Sequence, residues 1–202
     1  VLVPPASLRA RTDSAVFDDR GERGWLLGNP RAWDDRTLVT GDSLEIMSEK
    51  RRLKRVMVHG NAKMDYFETP RPDSGESSRL AGRSVEAWFT NDELDSLVAI
   101  GDARNHYVAP RKAGRTAESN TAQGDSITVF FKQRKIDRAR VEGRAQGEYR
   151  LPVDPADTSA VRKEVVSYDA TRIHFAVPKS EIVLDQDAHL VYRDLALTSR
   201  RV

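Results

Sequence analysis

The sequence repeats itself, and that constrains its fold more than any other feature. Residues 41–66 read GDSLEIMSEKRRLKRVMVHGNAKMDY, residues 82–107 read GRSVEAWFTNDELDSLVAIGDARNHY, and residues 124–149 read GDSITVFFKQRKIDRARVEGRAQGEY. The three align without a gap. Gly41, Gly82 and Gly124 open them, a Ser follows two positions later, and a second Gly (Gly60, Gly101, Gly143) comes 19 residues after the first. A Tyr closes each unit six residues beyond that, and the period is about 41 residues. A repeat of this length implies one supersecondary unit stacked on its own copies, with a core that runs through the stack. A degenerate fourth copy occupies 169–194, with Ala170 and Gln186 in the two glycine slots and a shorter turn at VPKS. The last residues, LALTSRRV, resemble the approach to the first full unit, RTLVTGDS. The segment 15–33 reads as a shortened copy whose alternation is out of phase. The expected organisation is one repetitive domain over 1–202, with units at about 14–33, 37–66, 80–107, 122–149 and 165–192 and a tail, 193–202, that begins another.

Within a unit the apolar period is two, the strand period. Leu44 and Ile46, Val85 and Ala87, and Ile127 and Val129 lie three and five residues past the first Gly, and Phe89 and Phe131 lie seven past it. Val56 and Val58, Leu97 and Ala99, and Ala139 and Val141 precede the second Gly, and Ala62, Ala103 and Ala145 follow it. Charged residues such as Glu45, Glu86, Asp102, Arg104, Glu142 and Arg144 fill the alternate positions, so each unit is predicted to be a hairpin with one apolar and one wet face. A Gly in the middle of a long strand marks a bulge or bend. Repeated at Gly60, Gly101 and Gly143, it predicts strands that leave one sheet and enter a facing one. The fold class expected is all-β, with almost no helix: an open-ended, twisted sandwich of stacked hairpins. The joins at 67–81, 108–123 and 150–164, rich in Pro, Gly, Ser and charge, read as loops.

Several function classes are excluded or weakened by composition. The 202 residues carry a net charge of +2 with both signs interspersed, which is too balanced for a binder of nucleic-acid phosphates. Cys is absent, so there is no disulfide framework and no thiolate metal site. No apolar run reaches the roughly 18 residues of a membrane-spanning helix. The chain opens on VLVPPASLRA, without Met or a charged and then apolar leader. An export signal is therefore expected to have been removed, or the segment to derive from a longer chain.

The tetrapeptide GDSL, with Ser43, invites a hydrolase reading. That chemistry needs a base and an oxyanion hole beside the serine. The late Asp-x-x-His expected of GDSL hydrolases is missing, since Asp185 and Asp187 stand four and two residues before His189. The same slot recurs as GRSV and GDSI, so Ser43 is read as a strand residue and the chain as a non-enzyme. His59, His106, His174 and His189 lack ligand spacing, and neither metal nor cofactor is expected. The basic clusters at Lys50, Arg51, Arg52, Lys54 and Arg55, at Arg111, Lys112 and Arg115, and at KQRKIDRAR read as solvated hairpin tips that guard against edge pairing. An anion-binding rim is the competing reading.

The inward rows pose the functional question, because they could be a packed core or the lining of an apolar groove. The candidate lining is Leu44, Ile46, Val58, Met64, Val85, Phe89, Ala99, Ile127, Val129, Phe131, Val141, Ile173, Phe175 and Leu184. Burying one fourteen-carbon chain contributes on the order of 10 kcal/mol at about 0.8 kcal/mol per CH₂.

The pattern GDSLEI…LKRVMVHGNAKMDY, followed by YDATRIHFAVPKSEIVLDQDAHLVYRDLALTS, resembles the OstA-like family over residues 36–202. This is the periplasmic β-jellyroll shared by LptA, LptC and the N-terminal domain of LptD. The resemblance implies a jellyroll that carries the acyl chains of lipopolysaccharide, or a related glycolipid, in its interior. It also implies a periplasmic location and end-to-end strand addition, with other OstA-like envelope proteins or with further copies of the chain, to bridge inner and outer membrane. The 41-residue units and long joins depart from the small bridge protein of that family. The alternative is a structural β-repeat of the envelope that scaffolds or polymerises without a ligand.

Overall fold

The computed structural model describes residues 9–18, 20, 22–34, 36–50, 52–67, 78–109, 117–153 and 164–202. Arg51, Arg111, Lys112 and Arg115 of the basic clusters, and the middle of each long join, lie outside the described residues.

The described residues form one open antiparallel sheet of 14 strands. In order these are β1 (Arg9–Arg11), β2 (Ser14–Phe17), β3 (Arg23–Leu27), β4 (Arg31–Trp33), β5 (Thr37–Thr40), β6 (Ser43–Glu49) and β7 (Arg52–Tyr66). They continue as β8 (Ser78–Thr90), β9 (Glu93–Val108), β10 (Ser119–Lys132), β11 (Lys135–Arg150), β12 (Val165–Ala176), β13 (Glu181–Tyr192) and β14 (Leu195–Arg201). Among the described residues the one helical turn is a 3-10 turn, Val177–Lys179, at the VPKS hairpin.

Strand β7 shows how the sheet becomes two walls. Its first half pairs with β6 and its second half with β5, while β8 follows it on the other side across both halves. The first wall thus contains β2, β3, β6 and the hairpin-tip halves of the long strands. The second wall contains β1, β4, β5, β14 and the other halves. Between the halves Gly60, Gly101 and Gly143 have φ of +65°, +77° and +76°, and the residues after them, Asn61, Asp102 and Arg144, are also left-handed. The register skips at the same point, from His59↔Ser84 to Ala62↔Gly82, so Gly60 and Asn61 together face Arg83 alone. An L-residue loses about 1–2 kcal/mol in this conformation, so the slot selects Gly first and Asn or Asp second. Gln186 and Asp187 hold the same geometry in the degenerate copy, with φ of 64° and 51°.

A side-chain clasp spans each bend. Asn61 Nδ2 donates to Asp42 Oδ1 at 3.1 Å, Arg144 Nη2 donates to Asp125 Oδ1 at 2.6 Å, and Arg83 faces Asp102 at 3.9 Å. The first glycine of the unit has a different task. A Cβ on Gly124 would stand 2.7 Å from Val141 Cγ1 and 3.0 Å from the Glu142 carbonyl, where the neighbouring bend presses in.

Two expectations need correction. Gly82 and Gly124 do not mark entry from a loop, because β8 and β10 begin at Ser78 and Ser119 and carry these glycines in mid-strand. The ends of the joins at 78–81 and 119–123 are therefore strand, since both arms of a hairpin must cross the bend to pair along both walls. The segment 15–33 is also in phase with the rest: Ala15 faces Leu26, and Leu26 faces Leu44. Its bend is the left-handed pair Gly28 and Asn29, with φ of 83° and 53°.

The rows meet end to end across the stack. In the first wall, Leu26, Leu44, Val58, Val85, Ala99, Ile127, Val141, Ile173 and Leu184 are successive cross-strand partners. Val202 extends the row by exchanging backbone hydrogen bonds with Leu184 at 2.8 and 3.0 Å. This row forms the floor of the core, and no member from Leu44 to Leu184 is more than 2% exposed.

Candidate functional site

The space between the walls is where the predicted lining residues converge. Leu44, Val58, Val85, Ala99, Ile127, Val141, Ile173 and Leu184 occupy the deep row just described. Ile46, Val129 and Phe175 lie in the next inward row, which also holds Val56, Ala87, Leu97 and Ala139. Phe89 and Phe131 stand at the hairpin tips with Leu53, Leu94 and Ile136, half-buried and packed against the core. Met64 is on the opposite wall, between Val39 and Leu80. All 14 residues belong to one apolar cluster or pack on it. The deep ones are in mutual contact, whereas Ile46, Phe89, Phe131 and Phe175 form the partly open side.

The second wall is chemically different. Its main inward row reads Ala32, Val39, Met64, Leu80, Asn105, Ala122, Gly147, Tyr168, Leu190 and Leu197 from one end to the other. Beyond it lies a row in which Tyr66 faces Ser78, Asn120 stands between Tyr107 and Tyr149, and Val166 stands between Tyr149 and Tyr192. Ser78 and Asn120 are buried polar side chains. Tyr168 satisfies Asn120 by donating its hydroxyl to Oδ1. Tyr192 donates to Glu164 Oε2 at 2.6 Å. Burial, followed by the hydrogen bond to Glu118, pushes the Tyr149 hydroxyl well above the usual phenol range, so it stays a donor. The tyrosines that close each unit were not among the 14 predicted lining residues. Their period-two spacing from Met64 and Gly147 was the signal that they face inward.

Aromatic contacts tie the two walls together. Tyr66 on β7 meets Phe131 on β10 edge-on, ring centroids 5.3 Å apart, and its hydroxyl donates to the Arg134 carbonyl. Tyr168 and Phe175, on either side of the β12 bend, meet edge-on at 6.2 Å. Such pairs favour this geometry because a positive ring edge meets a negative face.

The outer faces carry the remaining candidates. Ser43 stands opposite His59, and Ser84 faces His59 from the other side, so the serine slot is a row on the outer surface of the first wall. His189 Nδ1 pairs with Asp169 Oδ2 at 2.8 Å on the outside of the second wall. Among the described residues no three His, Asp or Glu side chains are grouped to hold a metal. The basic hairpin tips engage their neighbours: Asp92 Oδ1 accepts from the Leu53 amide at 3.0 Å, and Arg52 donates to Asn91 at 3.4 Å.

The outer face of the first wall is not uniformly wet, contrary to the alternation. Trp88 is 42% exposed and Ile100 46%, while Arg55 lies over the Trp88 ring at 4.8 Å and bonds Glu86 at 2.8 Å. Outside the second wall, a shallow trough of about 680 Å³ runs over Arg104, Gln123, Gln146, Asp169 and His189.

Among solved structures, the chain is similar to LptH, the LptA homologous periplasmic component of the conserved lipopolysaccharide transport device from Pseudomonas aeruginosa. The two share 19% sequence identity with a TM-score of 0.51, over 68% of this chain and 83% of that one. No family model matches the sequence, and no curated protein matches it. The repeated bent hairpins, the two walls and this likeness make one statement of fold: the chain is an open β-jellyroll of the LptA type.

Proposed function

We propose that the chain is a non-enzymatic, periplasmic module that binds and passes on lipopolysaccharide or a related glycolipid, holding acyl chains between its walls. The observation that carries the reading is the unbroken apolar row from Leu26 to Leu184, enclosed by a second wall in a fold shared with LptH. Acyl chains would meet the half-buried Ile46, Phe89, Phe131 and Phe175 first, then Val129 and the deep row. The outermost strands support end-to-end strand addition to other envelope β-jellyrolls or to a second copy. Phe17 on β2 is 55% exposed and Leu195 on β14 is 50% exposed, and among the described residues each of these strands pairs on one side only.

Lipid extraction and mass spectrometry of the protein purified from a Gram-negative host test this directly. Co-purified lipid A is expected, and photo-crosslinkers at Phe89, Val129 and Phe131 should label it. Labelling confined to Glu86 and Thr128 would place the lipid outside. One observation favours a second reading, a ligand-free structural scaffold: the deep row is already closed, with Val85, Ala99 and Ile173 fully buried. Lipid-free protein that still assembles through its edges would establish that reading instead.

A further inference from the structure

Each second arm ends in a tyrosine of the same inward row, and Tyr66 differs from Tyr149 and Tyr192. Tyr192 and Tyr149 give their hydroxyls to Glu164 and Glu118, carboxylates at the start of neighbouring strands in their own wall. Tyr66 instead reaches the opposite wall. Its ring lies edge-on to Phe131, and its hydroxyl donates to the Arg134 carbonyl in the turn between β10 and β11. That turn is 68 residues away in sequence and three strands along the stack, a shift of about 14 Å at 4.8 Å per strand. The shift comes from sheet twist, which carries the far end of one wall past the far end of the other. Tyr66 is only 7% exposed, although it stands at the partly open side of the interior. Phe131, on which it lands, is half-buried and packs against the apolar core, as Phe89, Leu94 and Ile136 do at the hairpin tips.

We propose that Tyr66 is a gate on the interior. With its phenol on Phe131 and the Arg134 carbonyl, the walls are pinned together at that point. When the phenol swings away, an acyl chain can enter and slide past. The proposal rests on the lipid-carriage reading and adds the residue that controls entry. The contact suits that task because it can be remade. It joins a ring edge and a neutral hydrogen bond to a turn, rather than interlocking aliphatic side chains as in the deep row. The acceptor is a main-chain carbonyl, so the gate depends on the position of the turn.

The test measures uptake of a fluorescent polyene fatty acid by the full chain in stopped flow. Tyr66→Phe keeps the ring and removes only the hydroxyl. Losing one neutral hydrogen bond should speed uptake roughly two- to tenfold. Tyr66→Ala should speed it further. The chain has no cysteine, so Tyr66→Cys with Phe131→Cys can be bridged by a short, thiol-cleavable cross-linker. Bridging should block uptake, and reduction should restore it. Thermal melting separates a gate from a loss of fold, and Tyr66→Phe decides the matter alone if the alanine variant unfolds. Equal uptake rates in folded wild type, Tyr66→Phe and the bridged form would overturn the gate while leaving lipid carriage intact. Failure of the wild type to take up the probe at all would overturn lipid carriage, and the gate with it.

Discussion

The two walls are made by the same strands, yet their interiors differ. On the hairpin-tip side of each bend the inward residues are Leu, Val, Ile and Ala in straight rows, with Phe89, Phe131 and Phe175 towards the tips. On the other side they include Asn105, Asn120, Ser78, Gly147 and a tyrosine on every second strand. Aliphatic rows hold together through close packing alone, and every member is replaceable by a shape of similar volume. The second wall depends on partners, because each buried amide or hydroxyl must find one. The first wall is therefore a packed floor, and the second is a ceiling positioned by specific hydrogen bonds. Contacts that cross between them, Tyr66 to Phe131 and Tyr168 to Phe175, begin on tyrosines of the ceiling.

Substitutions can break this contrast, and the largest effect is expected in the floor. Ile127→Ala opens a cavity in a fully buried row and should cost about 2–5 kcal/mol in chemical denaturation. Ile127→Val, which conserves most of the volume, should cost far less. In the ceiling, Tyr168→Phe leaves the buried Asn120 Oδ1 without its donor and should cost about 1–3 kcal/mol. A near-isosteric change that matters more than Ile127→Val would sharpen the distinction between packing and pairing. A result within error of wild type would erase it.

The bend between the walls comes next. Gly143→Ala forces an L-residue to φ of +76° and should lower stability by about 1–2 kcal/mol. Arg144→Asn, which puts the residue of Asn61 into the equivalent slot, should leave the denaturation midpoint unchanged. The smallest effect is expected on the outer face of the first wall. There burial, with Arg140 and Arg172 nearby, holds the His174 pKa below its ordinary 6.5. Asp185 and Glu142 oppose this shift. A group whose folded pKa is depressed takes up its proton more readily when unfolded. The folded state should therefore lose a little stability as pH falls below about 6.5. His174→Gln should flatten that part of the pH profile, as followed by thermal melting.

The repeat made much of this legible. The inward rows could be written down from the period of two, and the bends from Gly60, Gly101 and Gly143, because only glycine repeated at a fixed place in a strand carries so specific a message. The degenerate copy was harder, since Gln186 carries the same bend without the signature residue. The phase of the first unit was misread because the exposed Val16 and Phe17 disguise it. The mid-strand position of Gly82 and Gly124 was hidden because polar approaches such as Ser119–Gln123 look like loop until a pairing partner is seen. The apolar outer residues Trp88, Ile100 and Phe130 break the alternation, and cation–π contacts from Arg55 and Arg138 account for two of them.

By itself the sequence determined the stacked hairpins, the inward faces and the places where each strand bends, since these follow from local spacing and from the steric limits on single residues. Only the tertiary structure decided which residues meet across the interior. Twist accumulates from strand to strand, so the residue opposite Tyr66 is neither a register partner nor a neighbour in the repeat, but Phe131, three strands further on. Whether the space between the walls is floor, ceiling or gate depends on that accumulated rotation, which no single repeat contains.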